Sequence, residues 1–357
     1  MSIGNLLKNK AYVLPVHIES NDSEIELVKS LLNSLDKPIN PIEIKFIETT
    51  ENYDVYRYTY RNSFYCIKIS LDKDCKKIKH EADCLNKINN LICPKYIKDG
   101  AIKIGDDLRY IITSYEQSES IEELGRSFLL ENFDSFCKSY ALMQNSERIN
   151  MSYKQNISEY FQTSNISELL TEDSINAIKN YTNFNLIKKI MDDMKNELLL
   201  LYSESFDEKT FVCHGALNAK NIISRNNVFK FINFDNCYSS HCFFDLNELF
   251  IELGIPENLE YGLLKTFCSN LKIEFNSNTL VLYKKCYQIS LIKKAIELMT
   301  NYLKEVYLYS SERTEMIINI SDRFYDSYDR YMSIKYFRDN KEFIFKTLTE
   351  PILDQKA

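Results

Sequence analysis

The feature that most restricts the possible folds of this chain is a β-rich stretch over 211–234, set in a half of the sequence whose pattern is otherwise helical. It contains the pair His214-Gly215, and Asn221 follows seven positions after the histidine. Asn226-Asn227 has the residue types of a two-residue hairpin turn, with apolar segments on both sides. The sequence Ile-Asn-Phe-Asp-Asn over 232–236 comes next. A core histidine beside a turn and turn-capping asparagines would explain each residue singly, but their joint spacing indicates one particular fold.

This spacing resembles the catalytic segment of the aminoglycoside phosphotransferase and choline kinase family, whose members are related to the protein kinases. His214 and Asn221 match the first and last residues of the family's H-x-D-x-x-x-x-N loop, and 232–236 match its I-D-F-[DE] metal-binding segment. Asp245-Leu246 matches the Asp-Leu pair with which the next helix usually starts. The resemblance extends over most of residues 42–300. It also includes relatives that resemble spore-coat proteins.

The resemblance implies an α+β, two-lobed, protein-kinase-like fold, and the apolar pattern of the chain agrees with it. We predict an N-terminal extension over 1–40, an N-lobe over 41–115 with a small antiparallel sheet and one helix, and a larger, mainly helical C-lobe over 116–357 with a short β-hairpin. The predicted strands cover 42–46, 53–60, 64–69, 96–104 and 108–115, with turns at Asn62-Ser63 and Gly105-Asp106-Asp107. The predicted helices cover 23–35, 73–89, 128–145, 171–181, 185–202 and 243–253, with three or four more before the end. The polar segment 116–123 is predicted to be a connector.

Composition restricts the classes of function. The chain has 357 residues, of which 45% are hydrophobic, and this is enough to bury the cores of two lobes. A net charge of −7 without a long basic run predicts no nucleic-acid partner. Ten single cysteines and four histidines lack zinc-site spacing and are typical of free thiols in a reducing compartment. No apolar run approaches the roughly 20 residues of a membrane helix, and residues 1–16 lack a secretory apolar core. We therefore expect a cytoplasmic protein that does not bind a membrane; the sequence does not identify its small-molecule or protein partner.

The family's use of ATP gives the N-lobe its candidate cofactor-binding residues. The resemblance implies that Lys68, near the end of the third strand, binds the α- and β-phosphates. Its ion-pair partner would be Glu81 on the following helix, with Asp83 as a local alternative. A single lysine on a strand is otherwise an edge charge. The phosphate-covering loop before the second strand has no glycine, so Asn52 is the residue there that would contact phosphate. Ser114 and Tyr115, where the last strand of the N-lobe ends, complete the predicted set.

The catalytic loop departs from the family pattern at its most important position. Ala216 stands where the family keeps its catalytic aspartate, two residues after His214. An alanine cannot accept a proton or orient a hydroxyl group, and general-base catalysis contributes roughly 10²–10⁴-fold to the rate. Asn218 stands where relatives often have histidine or lysine. We therefore predict that no catalytic residue is intact.

The metal-binding positions are also altered. The resemblance implies that Asn221, Asn233 and Asp235 are the candidate metal ligands. The family's metal-binding aspartate falls at Asn233, whose neutral amide offers an oxygen but no formal charge; Asp235 would have to replace it. Glu51 and Asp54, in and beside the phosphate-covering loop, would repel a triphosphate. ATP and Mg²⁺ are thus the implied cofactors, with weakened affinity.

Three functions are compatible with these residues. The first is a pseudokinase that acts by binding a ligand or a partner. The second is an active ATP- and Mg²⁺-dependent phosphotransferase on a small hydroxyl-bearing substrate, with Asp235 holding the metal. The third is a structural or assembly protein such as a spore-coat component.

Overall fold

The computed structural model describes residues 22–50, 52–72, 74–88, 91–104, 106–144, 146, 184–203 and 211–307. The helix expected over 171–181, residue 51 of the phosphate-covering loop and the chain beyond 307 lie outside these ranges. The chain divides into two compact units. The first unit comprises 1–119, 145–147 and 223–237, and the second comprises 120–144, 148–222 and 238–357.

A five-stranded antiparallel sheet, in the order β1-β2-β3-β5-β4, forms the centre of the first unit. Its strands are β1 (Glu43–Thr49), β2 (Asp54–Tyr60), β3 (Ser63–Ser70), β4 (Tyr96–Ile104) and β5 (Asp106–Ser114). The turn between β2 and β3 is Arg61-Asn62, with φ of 49° and 60°, one residue earlier than predicted. Tyr60 pairs with Ser63, and this pairing leaves Arg61 and Asn62 as the two central residues of the hairpin turn. Asp106 and Asp107, which were predicted to be turn residues, lie in β5 and pair with Ile104 and Lys103 of β4.

Helix α1 (Asp22–Asn33) packs against one face of this sheet. The helix predicted from the sequence here is confirmed. Its apolar stripe places Val28, Leu31 and Leu32 in a single core with Tyr56 and Tyr58 of β2. The helix is therefore part of the hydrophobic core of the first unit.

Helix α2 (Lys76–Leu85) connects β3 to β4 and is shorter than the predicted span of 73–89. Asp72 accepts a hydrogen bond from the Asp74 backbone N–H at 2.9 Å, and Cys75 has ψ of 102°, so the chain is still in a turn at these residues. The helix buries Ile78, Glu81 and Ala82 among others.

The predicted hairpin around Asn226-Asn227 is confirmed. Strands β8 (Ile222–Arg225) and β9 (Val228–Phe231) flank the two asparagines, whose φ angles are 53° and 61°. Positive φ at both central residues is the geometry of a type I′ turn, which asparagine tolerates. A 3₁₀ turn over Phe234–Asn236 follows, and both the hairpin from 223 onwards and this turn belong to the first unit.

The second unit is mainly helical. In the part of it that the structure describes, the helices are α3 (Ile121–Glu131), α4 (Phe133–Met143), α5 (Phe184–Ser203), α6 (Phe243–Glu252), α7 (Glu257–Leu271) and α8 (Ser277–Tyr307). Helix α6 packs against α8, α7 against α4, and α8 against α5. Strands β7 (Phe211–Cys213) and β10 (Tyr238–Ser240) pair antiparallel, and the two-residue strand β6 (Glu119–Ser120) lies where the chain passes between the units. None of the helices in the described ranges is long and apolar enough to cross a membrane.

Two predictions about helices in this unit were wrong. The predicted single helix over 128–145 is two helices, which are separated at Asn132, where φ is −109° and ψ is 19°. The predicted connector over 116–123 contains the start of α3. Ser120 caps this helix: its Oγ accepts the Glu123 N–H at 3.3 Å, while the Glu123 carboxylate accepts the Ser120 N–H at 2.7 Å.

Candidate functional site

Lys68 and Glu81 form a buried ion pair in the first unit. Strand β3 positions Lys68 and helix α2 positions Glu81, and the lysine Nζ lies 2.8 and 2.6 Å from the two carboxylate oxygens. Their exposed fractions are only 5% and 3%, whereas Asp83 is exposed. The partner predicted for Lys68 is thus the one it pairs with. Its role in binding phosphate stays a prediction.

The ammonium group of Lys68 has two further partners. Nζ donates to Asn233 Oδ1 at 2.9 Å and to the Tyr53 hydroxyl at 3.5 Å, and it lies 4.8 Å from the centre of the Tyr53 ring. Burial alone would lower the pKa of Lys68, but the carboxylates of Glu81 and Asp235 raise it above its ordinary value. The group is therefore a buried ammonium with an acceptor for each of its three N–H bonds.

The left-handed backbone at Asn233 brings the turn after β9 to this ion pair. Asn233 has φ of 63° and ψ of 65°, a conformation that asparagine adopts more readily than most residues. The next backbone N–H, of Phe234, donates to Glu81 Oε1 at 3.2 Å. The same carboxylate therefore binds both the lysine and the turn, which fixes the positions of Asn233 and Asp235.

Asp235 reaches the cluster through Tyr53, a residue that the sequence interpretation did not include. The Tyr53 hydroxyl donates to Asp235 Oδ2 at 3.1 Å, and Asn236 Nδ2 donates to Asp235 Oδ1 at 3.0 Å. Burial, and then the negative charges of Asp235 and Glu81, raise the pKa of the Tyr53 hydroxyl above its ordinary value. The position of Tyr53 beside the first residue of β2 was visible in the sequence, but nothing in the sequence indicated its hydrogen-bond partners.

The turn between β1 and β2 lies where the resemblance implies a phosphate-covering loop. Thr50 Oγ1 accepts the backbone N–H groups of Asn52 at 3.3 Å and Tyr53 at 3.0 Å. Asn52 is exposed, and its carbonyl accepts a long contact of 3.9 Å from the Cys75 thiol. The hydroxyl of Thr50 thus binds backbone N–H groups at a position where a loop would offer them to a phosphate.

The other predicted cofactor residues hold the end of the sheet together. Ser114 Oγ accepts the Lys95 N–H at 2.8 Å, and the Tyr115 N–H donates to the Phe64 carbonyl at 3.0 Å. The Tyr115 ring lies 5.5 Å from the guanidinium carbon of Arg57. These contacts explain both residues structurally, and their role in binding a cofactor stays a prediction.

In the second unit, Asp245 fixes the loop that follows β7. Its carboxylate accepts the backbone N–H groups of His214 at 2.6 Å and Gly215 at 3.0 Å, as well as the Tyr140 hydroxyl at 2.8 Å. Gly215 has φ of 80°, which a residue with a side chain rarely adopts. Burial raises the pKa of Asp245 to about 7, against the opposing effect of these hydrogen bonds. His214 is fully buried beside this anchor.

The rest of this loop uses its polar groups internally. Asn221 Nδ2 donates to the Ala216 carbonyl at 2.9 Å, and Asn218 Oδ1 accepts the Asn221 N–H at 3.0 Å. The Ala216 side chain offers no proton acceptor to a hydroxyl substrate. The loop therefore keeps a defined shape around a position that carries no base.

The candidate metal ligands come from both units, with Asn233 and Asp235 in the first and Asn221 in the second. Within the described ranges, no three His, Cys, Asp or Glu side chains form a metal-binding group. Asn233 Oδ1 already accepts from Lys68, and both Asp235 oxygens accept from protein donors. The oxygens of Asn233 and Asp235 that could bind Mg²⁺ are thus already engaged in hydrogen bonds within the first unit.

No protein-family model matches the sequence of this chain, and no curated protein does so either. Solved structures do match its fold. Amicoumacin kinase hAmiN, in complex with AMP-PNP, Ca²⁺ and Ami, has a TM-score of 0.57 and 14% identity, and the match covers 87% of this chain and 94% of the kinase. Choline kinase LicA from Streptococcus pneumoniae has a TM-score of 0.55 and 15% identity, and the match covers 87% of this chain and all of that one, 100%.

A third match is a thermostable mutant of aminoglycoside phosphotransferase APH(4)-Ia that carries an Asp-to-Ala substitution, in a ternary complex with ADP and hygromycin B. Its TM-score is 0.53 at 10% identity, and the match covers 83% of this chain and 97% of that one. This chain therefore has the protein-kinase-like fold of aminoglycoside phosphotransferases and choline kinases. The α+β fold implied by the resemblance is confirmed, with an antiparallel sheet in one unit and helices in the other.

Proposed function

We propose that this protein is a pseudokinase, which uses a phosphotransferase fold to bind a ligand or a partner and does not transfer phosphoryl groups at ordinary enzyme rates. The observation that carries the proposal is the loop around Ala216. Asp245, Asn218 and Asn221 hold this loop in a defined shape, yet the position of the base has only a methyl group. Preserved structure without the reacting group is what a binding function requires.

The arrangement around Lys68 supports the same conclusion. A kinase needs Mg²⁺ to neutralise the charge that develops on the transferred phosphoryl group. Here Asn233 serves as a hydrogen-bond acceptor for Lys68 and adds no negative charge. Asp235 is the only carboxylate among the three candidate ligands, and its exposed fraction is 9%. With only one carboxylate among these three ligands, we expect the protein to bind Mg²⁺ and ATP weakly.

One observation favours a second candidate, an active phosphotransferase. The ion pair between Lys68 and Glu81 is formed, and it is the pair that kinases need for productive nucleotide binding. The amicoumacin kinase match is a complex with a nucleotide analogue and a divalent cation. If Asp235 held the metal in this chain, the substrate would be a small hydroxyl-bearing molecule and the protein would be an ATP-dependent kinase.

Restoring the missing groups tests the proposal. We expect no ADP release above background from the wild type with ATP, Mg²⁺ and a panel that includes choline and hygromycin B. We expect measurable ATP hydrolysis from the double variant Ala216→Asp, Asn233→Asp, because it regains a base and a charged metal ligand. The matched control is Ala216→Asn, Asn233→Asp, which adds similar volume at 216 but no base, and it should stay inactive.

The opposite results would contradict the proposal. Turnover by the wild type at ordinary enzyme rates that is lost in Asp235→Asn would establish the active kinase instead. Calorimetric titration with ATP, with and without Mg²⁺, distinguishes the remaining candidates. Nucleotide binding without turnover supports the pseudokinase, whereas a structural or assembly protein predicts no nucleotide binding.

A further inference from the structure

Tyr53 occupies the centre of the polar cluster in the first unit. Its hydroxyl accepts from Lys68 Nζ at 3.5 Å and donates to Asp235 Oδ2 at 3.1 Å. Its exposed fraction is 7%. One side chain thus connects the lysine that would bind phosphate to the aspartate that would bind metal. The hydroxyl oxygen lies beside the lysine, where a phosphate oxygen of a nucleotide would have to be.

The donors and acceptors of this cluster are matched within the protein. The three N–H bonds of the Lys68 ammonium have acceptors in Glu81, Asn233 and Tyr53. The two oxygens of Asp235 accept from Tyr53 and Asn236. An anion can therefore reach Lys68 only by displacing one of these partners. Among these partners, Tyr53 is uncharged and belongs to a hairpin turn. Glu81 lies on helix α2 and also accepts the Phe234 N–H, and Asn233 lies in the turn after β9.

The turn that carries Tyr53 gives it a way to move. Thr50 and Tyr53 close the β1–β2 turn through the Thr50 N–H to Tyr53 carbonyl bond of 2.9 Å and the Thr50 hydroxyl to Tyr53 carbonyl bond of 2.8 Å. Asn52, at the tip, is exposed. A change of the Tyr53 side-chain rotamer, or of this one turn, would release the hydroxyl without disturbing the pairing of β2 with β3.

We propose that Tyr53 is an autoinhibitory gate on this site: it keeps Lys68 and Asp235 bound to each other through its hydroxyl, and a phosphate-bearing ligand binds only when Tyr53 leaves. This inference rests on the proposed binding function and specifies how that binding is regulated. The apparent affinity for the ligand equals the affinity of the open form multiplied by the fraction of molecules in which the gate is open. One hydrogen bond to a charged group, such as the 3.1 Å bond to Asp235, would hold that fraction to roughly 1–10%.

Calorimetric titration of the full-length protein with MgATP, and separately with tripolyphosphate, tests the gate. We expect Tyr53→Ala to bind both ligands about 10- to 100-fold more tightly than the wild type. Tyr53→Phe keeps the ring and removes only the hydroxyl, so we expect a smaller gain in the same direction. Adding Lys68→Met to Tyr53→Phe should abolish the gain. Tyr56→Phe, which alters a buried core residue of β2, the strand that follows Tyr53, should bind as the wild type does.

A second measurement covers the case in which Tyr53→Ala does not fold. In wild-type protein labelled with ¹³C at the tyrosine ζ carbon, the Tyr53 resonance should shift on addition of saturating MgATP, while the Tyr56 resonance stays in place. Equal affinities of the wild type and Tyr53→Phe, with an unmoved Tyr53 resonance, would overturn the gate. Absence of binding to every variant would overturn it too. Wild-type turnover, in contrast, would contradict the pseudokinase and leave the gate standing.

Discussion

The buried charges of Lys68 and Glu81 depend on each other for their stability. Each is nearly inaccessible to water, and removal of one leaves the other without a full counter-charge. We expect Lys68→Met to lower the free energy of unfolding by about 3–5 kcal/mol, as measured by urea denaturation. We expect the double variant Lys68→Met, Glu81→Leu to recover most of this loss, because no unpaired charge then stays buried.

The exposed ion pair between Lys98 and Asp36 provides the matched control. Its side chains have exposed fractions of 37% and 94%, and its Nζ to Oδ2 distance is 3.0 Å. Lys98→Met should cost only about 0–1 kcal/mol. If Lys68→Met cost no more than this control, the buried pair would not contribute to stability as described.

His241 should make stability depend on pH. Its ring is buried against Phe243 and Phe211, with ring centres 4.4 and 5.5 Å apart, and burial lowers its pKa from 6.5 to about 4. The unfolded chain therefore binds a proton at a higher pH than the folded one, so stability is complete above about pH 6.5 and falls as the pH decreases towards 4. A pKa difference of this size corresponds to roughly 3 kcal/mol of stability.

A comparison of the wild type with His241→Phe isolates this contribution. Chemical denaturation at several pH values should show a steeper loss of stability in the wild type between about pH 6.5 and pH 4. The difference between the two proteins should be flat above that range. Parallel curves throughout would mean that the folded protein can protonate His241 without cost.

Among the helices, α3 has the best-defined start. Ser120 and Glu123 form a capping box, and Ser120→Ala removes the acceptor for the Glu123 N–H. We expect this substitution to cost about 1 kcal/mol in urea denaturation. Ser127→Ala, at an exposed position in the same helix, is the control and should change stability by less than about 0.5 kcal/mol. Equal effects would show that the cap does not stabilise α3.

Local sequence was sufficient for some of these elements and insufficient for others. The Asn226-Asn227 turn could be predicted because both central residues tolerate positive φ. The turn at Arg61-Asn62 was misplaced by one residue, because the strand pairing of Tyr60 with Ser63 decides which residues are central. The start of α3 was not predicted, although Ser120-x-x-Glu123 is a capping-box pattern. The reason is that the polar composition of 116–123 is also typical of a connecting segment.

The contents of the site depend on contacts between distant parts of the chain, and this limits what a sequence can predict. Lys68, Glu81, Asn233 and Asp235 were identified because a known family has functional residues at matching positions. Tyr53 was not, because its place in the site depends on a hydrogen bond to Asp235, a residue 182 positions away. No local pattern encodes such a partner. For the same reason, sequence spacing alone could not show that Asn233 would be bound by Lys68.

The discontinuous first unit has a consequence for the order in which the protein is made. Asn233 lies 165 positions after Lys68, and the segment 223–237 returns to the first unit after residues 120–144 and 148–222 of the second have been translated. At about 5–20 residues per second, a ribosome needs on the order of ten seconds or more to add that stretch. Through that interval the nascent first unit contains Lys68 and Glu81 without the turn that completes their hydrogen bonds. A stalled chain that ends at residue 119 would therefore expose an unfinished polar core to chaperones and proteases.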